Sequence, residues 1–276
     1  MKEKIVVVNN HKISTYYSDY NNNSSHRVVF LHGNSLSAKI FENQFNSDIL
    51  GGFELIAIEL PGHGNSSKFT GFDQKYSYSH LVELLITLIN QLDIADSFFV
   101  GNSLSGNLLF EILPDLKPIK GIMVNGAPPF NIPFNPQLMV LPSPDSMLFS
   151  KGPLTDGEIT AMASLLLTEN SIYEPFINSI IKNCDENFRS DLLKSVIFGD
   201  FSNQVDKINN TNIPLCIFNG ESEKICNIQY IIDCVAPARL YKNKIHHIKN
   251  SSHLPFLENP KVFNELLRDF VVTNSN

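Results

Sequence analysis

Phe98-Phe99-Val100-Gly101-Asn102-Ser103-Leu104-Ser105-Gly106-Asn107-Leu108-Leu109 runs from an apolar strand through a turn of small residues into a helix, with a serine at the apex. This is the pattern of a nucleophile elbow, in which a strained turn lifts the serine hydroxyl clear of the sheet and tolerates only small side chains two residues to either side. Gly101 meets that need, and Ser105 nearly does. Ser105 departs from the usual G-x-S-x-G, although Gly106 still lets the new helix approach the neighbouring strand. If the Ser105 hydroxymethyl crowds the turn, Ser105→Gly leaves activity intact or raises it. So short a pattern also fits an ordinary strand-to-helix loop, and the rest of the chain has to decide.

Working outward, two short runs at 5–8 and 13–17, separated by Asn9-Asn10, predict an N-terminal hairpin. A polar turn is expected at 21–25. Residues 27–31 form a continuous apolar strand of the kind covered on both faces, and it ends in His32-Gly33-Asn34-Ser35. A helix is predicted over 38–49 from Ile40, Phe41, Phe45 and Ile49, and a strand over 53–60, closed by Pro61-Gly62-His63-Gly64. Leu81, Leu84, Leu85, Leu88 and Leu92 predict a helix over 77–92. Beyond the elbow come a strand over 119–124 and then a different kind of sequence. Prolines 128, 129, 133, 136, 142 and 144 alternate there with large apolar residues, which resists regular structure. Helical patterns follow at 155–168, 172–183 and 187–197. The sheet restarts at 214–218, with a helix near 228–235, a last strand over 240–248, and a final amphipathic helix that includes Val262, Phe263, Leu266, Leu267 and Phe270.

Alternating strands and helices imply an α/β fold, a mostly parallel, doubly wound sheet with helices on both faces. The expected organisation is a sheet core of residues 1–127 and 211–276 with a helical cap inserted at 128–210. Ligands in such sheets bind beyond the carboxyl ends of the strands, where His32-Gly33-Asn34, Ser103, Glu223 and His253 all fall.

That gathering permits acyl chemistry. A serine hydroxyl needs a base within reach and a third group to fix the tautomer of that base. His253 lies between the last strand and last helix, whereas His246 and His247 lie within the strand. His32 reads as a buried histidine holding its strand end, and His63 as part of a nearby turn. Glu223, three residues past Gly220, is the acid, with Glu221 its main rival and Asp200 and Asp206 further candidates. Leu104 and Asn34 supply the two backbone N–H donors an oxyanion requires, and the Asn34 side chain could add a donor to a substrate carbonyl.

The chain holds 276 residues, 43% of them hydrophobic, enough to bury a sizeable core. A net charge of −7, with arginine confined to Arg27, Arg189, Arg239 and Arg268, leaves no basic stripe for nucleic acid. No apolar run approaches the roughly 18 residues of a membrane span, so a cytoplasmic location is the default expectation. Cys184, Cys216, Cys226 and Cys234 show no C-x-x-C spacing and read as reduced structural cysteines; the Asn-x-Ser sequences at Asn23, Asn65 and Asn250 then carry no meaning.

Taken together, Leu31-His32-Gly33-Asn34, Leu60-Pro61-Gly62-His63-Gly64-Asn65-Ser66, Gly101-Asn102-Ser103-Leu104-Ser105-Gly106, Gly220-Glu221-Ser222-Glu223 and His253-Leu254-Pro255-Phe256-Leu257-Glu258-Asn259-Pro260 resemble the α/β-hydrolase superfamily over nearly the whole chain. The His-Gly-Asn loop, the glutamate acid and the apolar cap are similar to serine-type N-acyl-homoserine lactonases. The resemblance implies attack by Ser103 on an ester or lactone, with His253 as base and Glu223 behind it. Phe130, Phe134, Met139 and Met147 would line an apolar acyl pocket. No cofactor is expected, and the H-x-H-x-D-H cluster of metal-dependent lactonases is absent, so no metal is implied. The expected partner is a small apolar ester or lactone, with the chain a monomer or homodimer. Two other readings stay open. One is a general carboxylesterase or a carbon–carbon bond hydrolase of the same fold; the latter wants a cationic cap residue, for which only Arg189 could serve, although it reads as an exposed helix charge. The other is a ligand-sensing protein with little turnover.

Overall fold

The computed structural model describes residues 1–19, 26–69, 75–113 and 118–275. The turn expected at 21–25 lies outside the described residues. Among the described residues eight strands form one sheet in the order β1-β2-β4-β3-β5-β6-β7-β8. They are β1 (Lys2–Val8), β2 (His11–Tyr17), β3 (His26–Leu31), β4 (Phe53–Ile58), β5 (Phe98–Asn102), β6 (Gly121–Asn125), β7 (Leu215–Gly220) and β8 (His246–Ile248). β1 and β2 form the antiparallel hairpin, and β2 pairs antiparallel with β4. From β4 through β8 every pairing is parallel. The principal helices are α1 (Tyr78–Gln91), α2 (Leu104–Ile112), α3 (Asp156–Leu166), α4 (Glu174–Asn183), α5 (Phe188–Ile197), α6 (Gln204–Asn210), α7 (Ile228–Cys234) and α8 (Pro260–Thr273).

Strand periodicity sorts the apolar residues onto two faces. Val29, Leu31, Ile56, Ile58, Phe99 and Val124 join one buried cluster with the leucines of α1 and α2. Val28, Phe30, Leu55, Ala57, Val100 and Met123 join the other, with Phe263, Leu267 and Phe270 of α8. Covering both faces is what requires the continuous apolar strands; each fully buried Leu, such as Leu88, contributes about 1.5–3 kcal/mol.

The strand order reverses at β3. The chain leaves β3 for β4 on one side and returns to β5 on the other, so the carboxyl ends of β3 and β5 flank a topological switch point. Leu31 is in register with Gly101, which brings His32-Gly33-Asn34 out beside Ser103. Below them Glu59 is fully buried and accepts the N–H groups of Ala38 (3.2 Å) and Asn65 (2.8 Å), pinning the loop after β3 to the Pro61–Ser66 turn.

Two sequence expectations differ from the structure. The helix expected over 38–49 is broken into a 3-10 turn at Ala38–Phe41, one α-turn at Glu42–Phe45 and a second 3-10 turn at Asp48–Leu50. Asn46 and Ser47 interrupt it, with the Ser47 hydroxyl accepting the Ile49 N–H instead of continuing the ladder. The last strand is only His246–Ile248, because Lys242 (φ 53°) and Asn243 (φ 56°) adopt left-handed backbone that no strand accommodates. Between β6 and β7 the chain runs through α3 to α6 before rejoining the sheet. Among the described residues no helix is long and apolar enough to cross a membrane.

Candidate active site

Ser103 sits between β5 and α2 with φ 52° and ψ −119°. A non-glycine residue held there stores strain of about 1–3 kcal/mol, which persists only when neighbours over-determine it. They do: the Ser103 N–H donates to Asn125 O (2.8 Å) and its carbonyl accepts the Gly106 N–H (2.8 Å). The loop after β3 lies against the same serine, since a β-carbon on Gly33 would come within 3.0 Å of Ser103 Cβ. The N–H groups of Asn34 and Leu104 have no hydrogen-bond partner among the described residues, Leu104 because it opens a helix. Two free donors therefore flank a serine that is partly exposed in an otherwise buried turn.

His253 and Glu223 meet in the same region. His253 Nδ1 lies 2.9 Å from Glu223 Oε2 and 3.0 Å from Oε1, with both side chains almost fully buried. Glu223 Oε1 also accepts the N–H groups of Ile225 (2.8 Å) and Cys226 (3.2 Å). Burial alone would raise the Glu223 carboxyl; the imidazole of His253 and these two N–H groups outweigh it and hold the group below the ordinary carboxylate value. Glu221, the rival acid, is exposed and does not reach the histidine.

The imidazole rests on Gly126, whose φ is +58° and whose added β-carbon would lie 2.2 Å from His253 Cε1. Gly126→Ala is therefore expected to displace the ring and lower kcat about 100-fold, since a 1 Å misplacement can cost that much. Gly157→Ala, at a helical position with nothing within 4 Å, serves as the control and should leave kcat unchanged.

Ser105 is not a crowded substitute for glycine. Its hydroxyl donates to His32 O at 2.5 Å, bracing the loop after β3 against the elbow helix. Losing that donor strands a buried carbonyl, so Ser105→Gly should destabilise the fold by about 1–3 kcal/mol in urea unfolding, and activity should fall. An unchanged midpoint with raised activity would restore the crowding interpretation.

His32 and His63 are both fully buried beneath the loop. His32 Nε2 accepts the Leu60 N–H (3.0 Å), which leaves Nδ1 to donate to Gly33 O (2.8 Å). His63 Nε2 accepts the Ser35 N–H (3.0 Å) and Nδ1 donates to Pro61 O (2.9 Å). Both rings work as neutral imidazoles, and burial lowers His32 from 6.5 to about 4. With the folded value depressed, the unfolded chain takes up a proton first as pH falls. Stability from His32 is thus complete above about pH 6.5 and is lost progressively down to about pH 4. The thermal midpoint should decline across that window, and less steeply in His32→Asn.

The structure redirects other expectations. The Asn34 side chain is not free to meet a substrate: Nδ2 donates to Phe149 O (2.8 Å) and Oδ1 accepts from the Ser35 hydroxyl (3.0 Å). Arg189 is not an exposed helix charge but is 3% exposed, with donors engaged by Lys151 O, Gly152 O and Ser35 Oγ. That removes the one cation a carbon–carbon hydrolase would have used. Phe130 and Met139 share a buried apolar cluster with Leu104 and Ala127, and Phe134 packs against that cluster. Met147 is 66% exposed, while its neighbour Leu148 is buried. A separate cleft lined by Leu113, Ile119, Lys207 and Pro214 opens at the amino ends of β6 and β7, the rim opposite Ser103.

Several contributing residues carry no local sequence signal. Asn102 and Asn125, paired in register at the ends of β5 and β6, both donate to His253 O, at 3.3 and 2.8 Å. The end of α3 docks on both loops: Leu166 O accepts the His253 N–H (3.1 Å), and Ser164 O and Leu167 O accept Lys224 Nζ (2.9 and 2.6 Å). These are the orphan carbonyls of a helix C-terminus, where a cation is favoured. Glu223, Cys226 and His253 gather their ligand atoms within 4.8 Å of one another. Burial, and then the Glu223 charge, push the Cys226 thiol up, and it donates to Gly126 O (3.1 Å), while the Glu223 carboxylate and His253 Nδ1 bond each other.

A strand-rimmed serine turn with this sheet order defines a class, and comparison with known proteins agrees. The chain belongs to the alpha/beta hydrolase family, whose model matches residues 28–194, from within β3 to within α5. Among solved structures it is similar to the N-acyl homoserine lactonase AidH, solved with N-butanoyl homoserine, at a TM-score of 0.89 and 24% identity over 98% of this chain and 96% of that one. A serine-to-glycine variant of AidH has been solved with N-hexanoyl homoserine lactone and a glutamate-to-glycine variant with N-hexanoyl homoserine. An esterase from Thermogutta terrifontis matches at a TM-score of 0.78 and 14% identity, covering 100% of both chains. Curated relatives match over 30% and 34% of their own lengths; one is the uncharacterized hydrolase YugF of Bacillus subtilis (strain 168), 29% identical over 35% of this chain.

Proposed function

We propose that the protein is a serine hydrolase that cleaves an ester or lactone through an acyl-enzyme. The observation that carries this reading is the buried His253–Glu223 pair, tied through Asn102 and Asn125 to the strand ends that also hold a strained Ser103 with two free N–H donors at its turn. Ser103 Oγ attacks the carbonyl carbon and His253 Nε2 takes its proton. Glu223 holds Nδ1–H and so fixes the tautomer that leaves Nε2 available. The tetrahedral oxyanion is met by the N–H groups of Asn34 and Leu104. Collapse expels the alcohol, which in a lactone stays tethered; water, activated by the same imidazole, then releases the acid.

Residues 128–210 act in this reading as a cap over the strand ends, and Phe130, Phe134 and Met139 face an apolar acyl chain. N-acyl homoserine lactones are the proposed substrate class, on the strength of the full-length structural likeness to AidH. The four free cysteines suit a reducing compartment, and we place the protein in the cytoplasm. A panel of p-nitrophenyl esters and acyl-homoserine lactones matched in chain length tests the assignment. Higher kcat/KM on the lactones is expected; equal or better turnover of the simple esters removes the lactone preference.

A further inference from the structure

We propose that Arg189 is a positioning residue, which fixes the Asn34 oxyanion donor from the cap through Ser35. The inference rests on the hydrolase reading of Asn34 and adds to it a residue that touches no substrate. A guanidinium taken out of water is costly unless a carboxylate or equivalent acceptors compensate it. Among the described residues Arg189 of α5 has no carboxylate in its hydrogen bonds: Nε donates to Lys151 O (2.8 Å), Nη2 to Gly152 O (2.6 Å) and Nη1 to Ser35 Oγ (3.1 Å). Two of these bonds shape the cap, and the third leaves it for the loop after β3.

Ser35 is where the loop needs holding. Its φ of 60° places a non-glycine residue in the left-handed region, and that conformation sets the direction of the adjoining Asn34 backbone. Three tethers converge on it. His63 Nε2 accepts its N–H, Arg189 donates to its hydroxyl, and the hydroxyl donates onward to Asn34 Oδ1 (3.0 Å). The cap grips Asn34 itself a second time, through Phe149 O. The Arg189 charge also helps keep His63 neutral, and so able to accept from Ser35. Lysine could not replace this fork, because one ammonium cannot span two carbonyls and a hydroxyl in a fixed plane.

The test uses the full chain as wild type, Ser35→Ala, Arg189→Met, Arg189→Lys and Ser103→Ala. Two readouts are compared: kcat and KM on a p-nitrophenyl ester, and the inhibition constant of an alkyl trifluoromethyl ketone. Ser103 Oγ adds to the ketone carbon, His253 takes the proton, and the carbonyl electron pair becomes an alkoxide in the oxyanion position. Ser35→Ala and both Arg189 variants should lower kcat about 10- to 100-fold with KM within about twofold. They should also weaken the ketone by the same factor as kcat. A merely structural arginine would lower the melting temperature and leave kcat of the folded protein unchanged. Should Arg189→Met not fold, Ser35→Ala decides alone, since it keeps the guanidinium and its two carbonyl bonds. Turnover that depends on Ser103 but is unaffected by Ser35→Ala, with ketone affinity also unchanged, overturns this inference alone. Equal turnover by wild type and Ser103→Ala overturns it together with the hydrolase reading.

Discussion

Ser103→Ala lowers kcat on a p-nitrophenyl ester by about 10,000- to 1,000,000-fold, because the residual rate then comes only from binding and the oxyanion donors. The substitution removes one oxygen and leaves the elbow intact. Its backbone remains held by Asn125 O and the Gly106 N–H, so the folded protein should be recovered in normal yield. Alanine at φ 52° keeps the same left-handed conformation as the serine. A fluorophosphonate probe reports the same chemistry independently: wild type is labelled at one site and Ser103→Ala is not. Loss of labelling with retained turnover would mean that another group performs the hydrolysis. Absence of labelling and identical turnover in both forms would point to a ligand-binding protein built on a hydrolase fold.

Glu223→Gln is the second large effect, about 10,000-fold in kcat, and its cause is tautomeric rather than steric. Glu223 Oε1 accepts the N–H groups of Ile225 and Cys226, and two converging donors require an oxygen in that place. The glutamine carbonyl takes that seat, and its NH2 falls where Oε2 lay, 2.9 Å from His253 Nδ1. An N–H now faces Nδ1, so the proton moves to Nε2 and the ring cannot receive one from Ser103. Glu221→Gln, on an exposed residue, should leave kcat within about twofold. The reverse outcome, with Glu221→Gln inactive and Glu223→Gln normal, assigns the acid to Glu221.

Much of this arrangement is legible in the sequence because it depends on local pattern. Gly101 and Gly106 announce the turn, the apolar runs give β3 to β7, and chain order places Glu223 and His253 beyond later strands. The pieces that are not legible depend on contacts between distant segments. Ser105 looks like an imperfect glycine until its hydroxyl is found on His32 O, 73 positions away. Arg189 has the flanking sequence of a surface helix charge, and only the fold shows it buried against Ser35. Asn102 and Asn125 look like residues in a chain generally rich in asparagine; strand register alone reveals that both hold the His253 carbonyl. Local propensity misleads where polar residues interrupt apolar spacing, as at Asn46-Ser47 and Lys242-Asn243.

The docking of the α3 C-terminus on the loops of Glu223 and His253 constrains how this protein could be recombined with its relatives. Substrate range in such enzymes invites modular exchange, in which one insert between β6 and β7 is replaced by another. Here Ser164, Leu166 and Leu167 hold Lys224 and His253, and Thr168 N–H and Oγ1 both donate to Glu258 Oε1 (2.7 and 2.6 Å). A graft that discards those carbonyls inherits Glu223 and His253 but not the helix end that holds their loops. Productive crossovers therefore fall outside 164–168, and a donor insert has to end its first long helix on the same two loops.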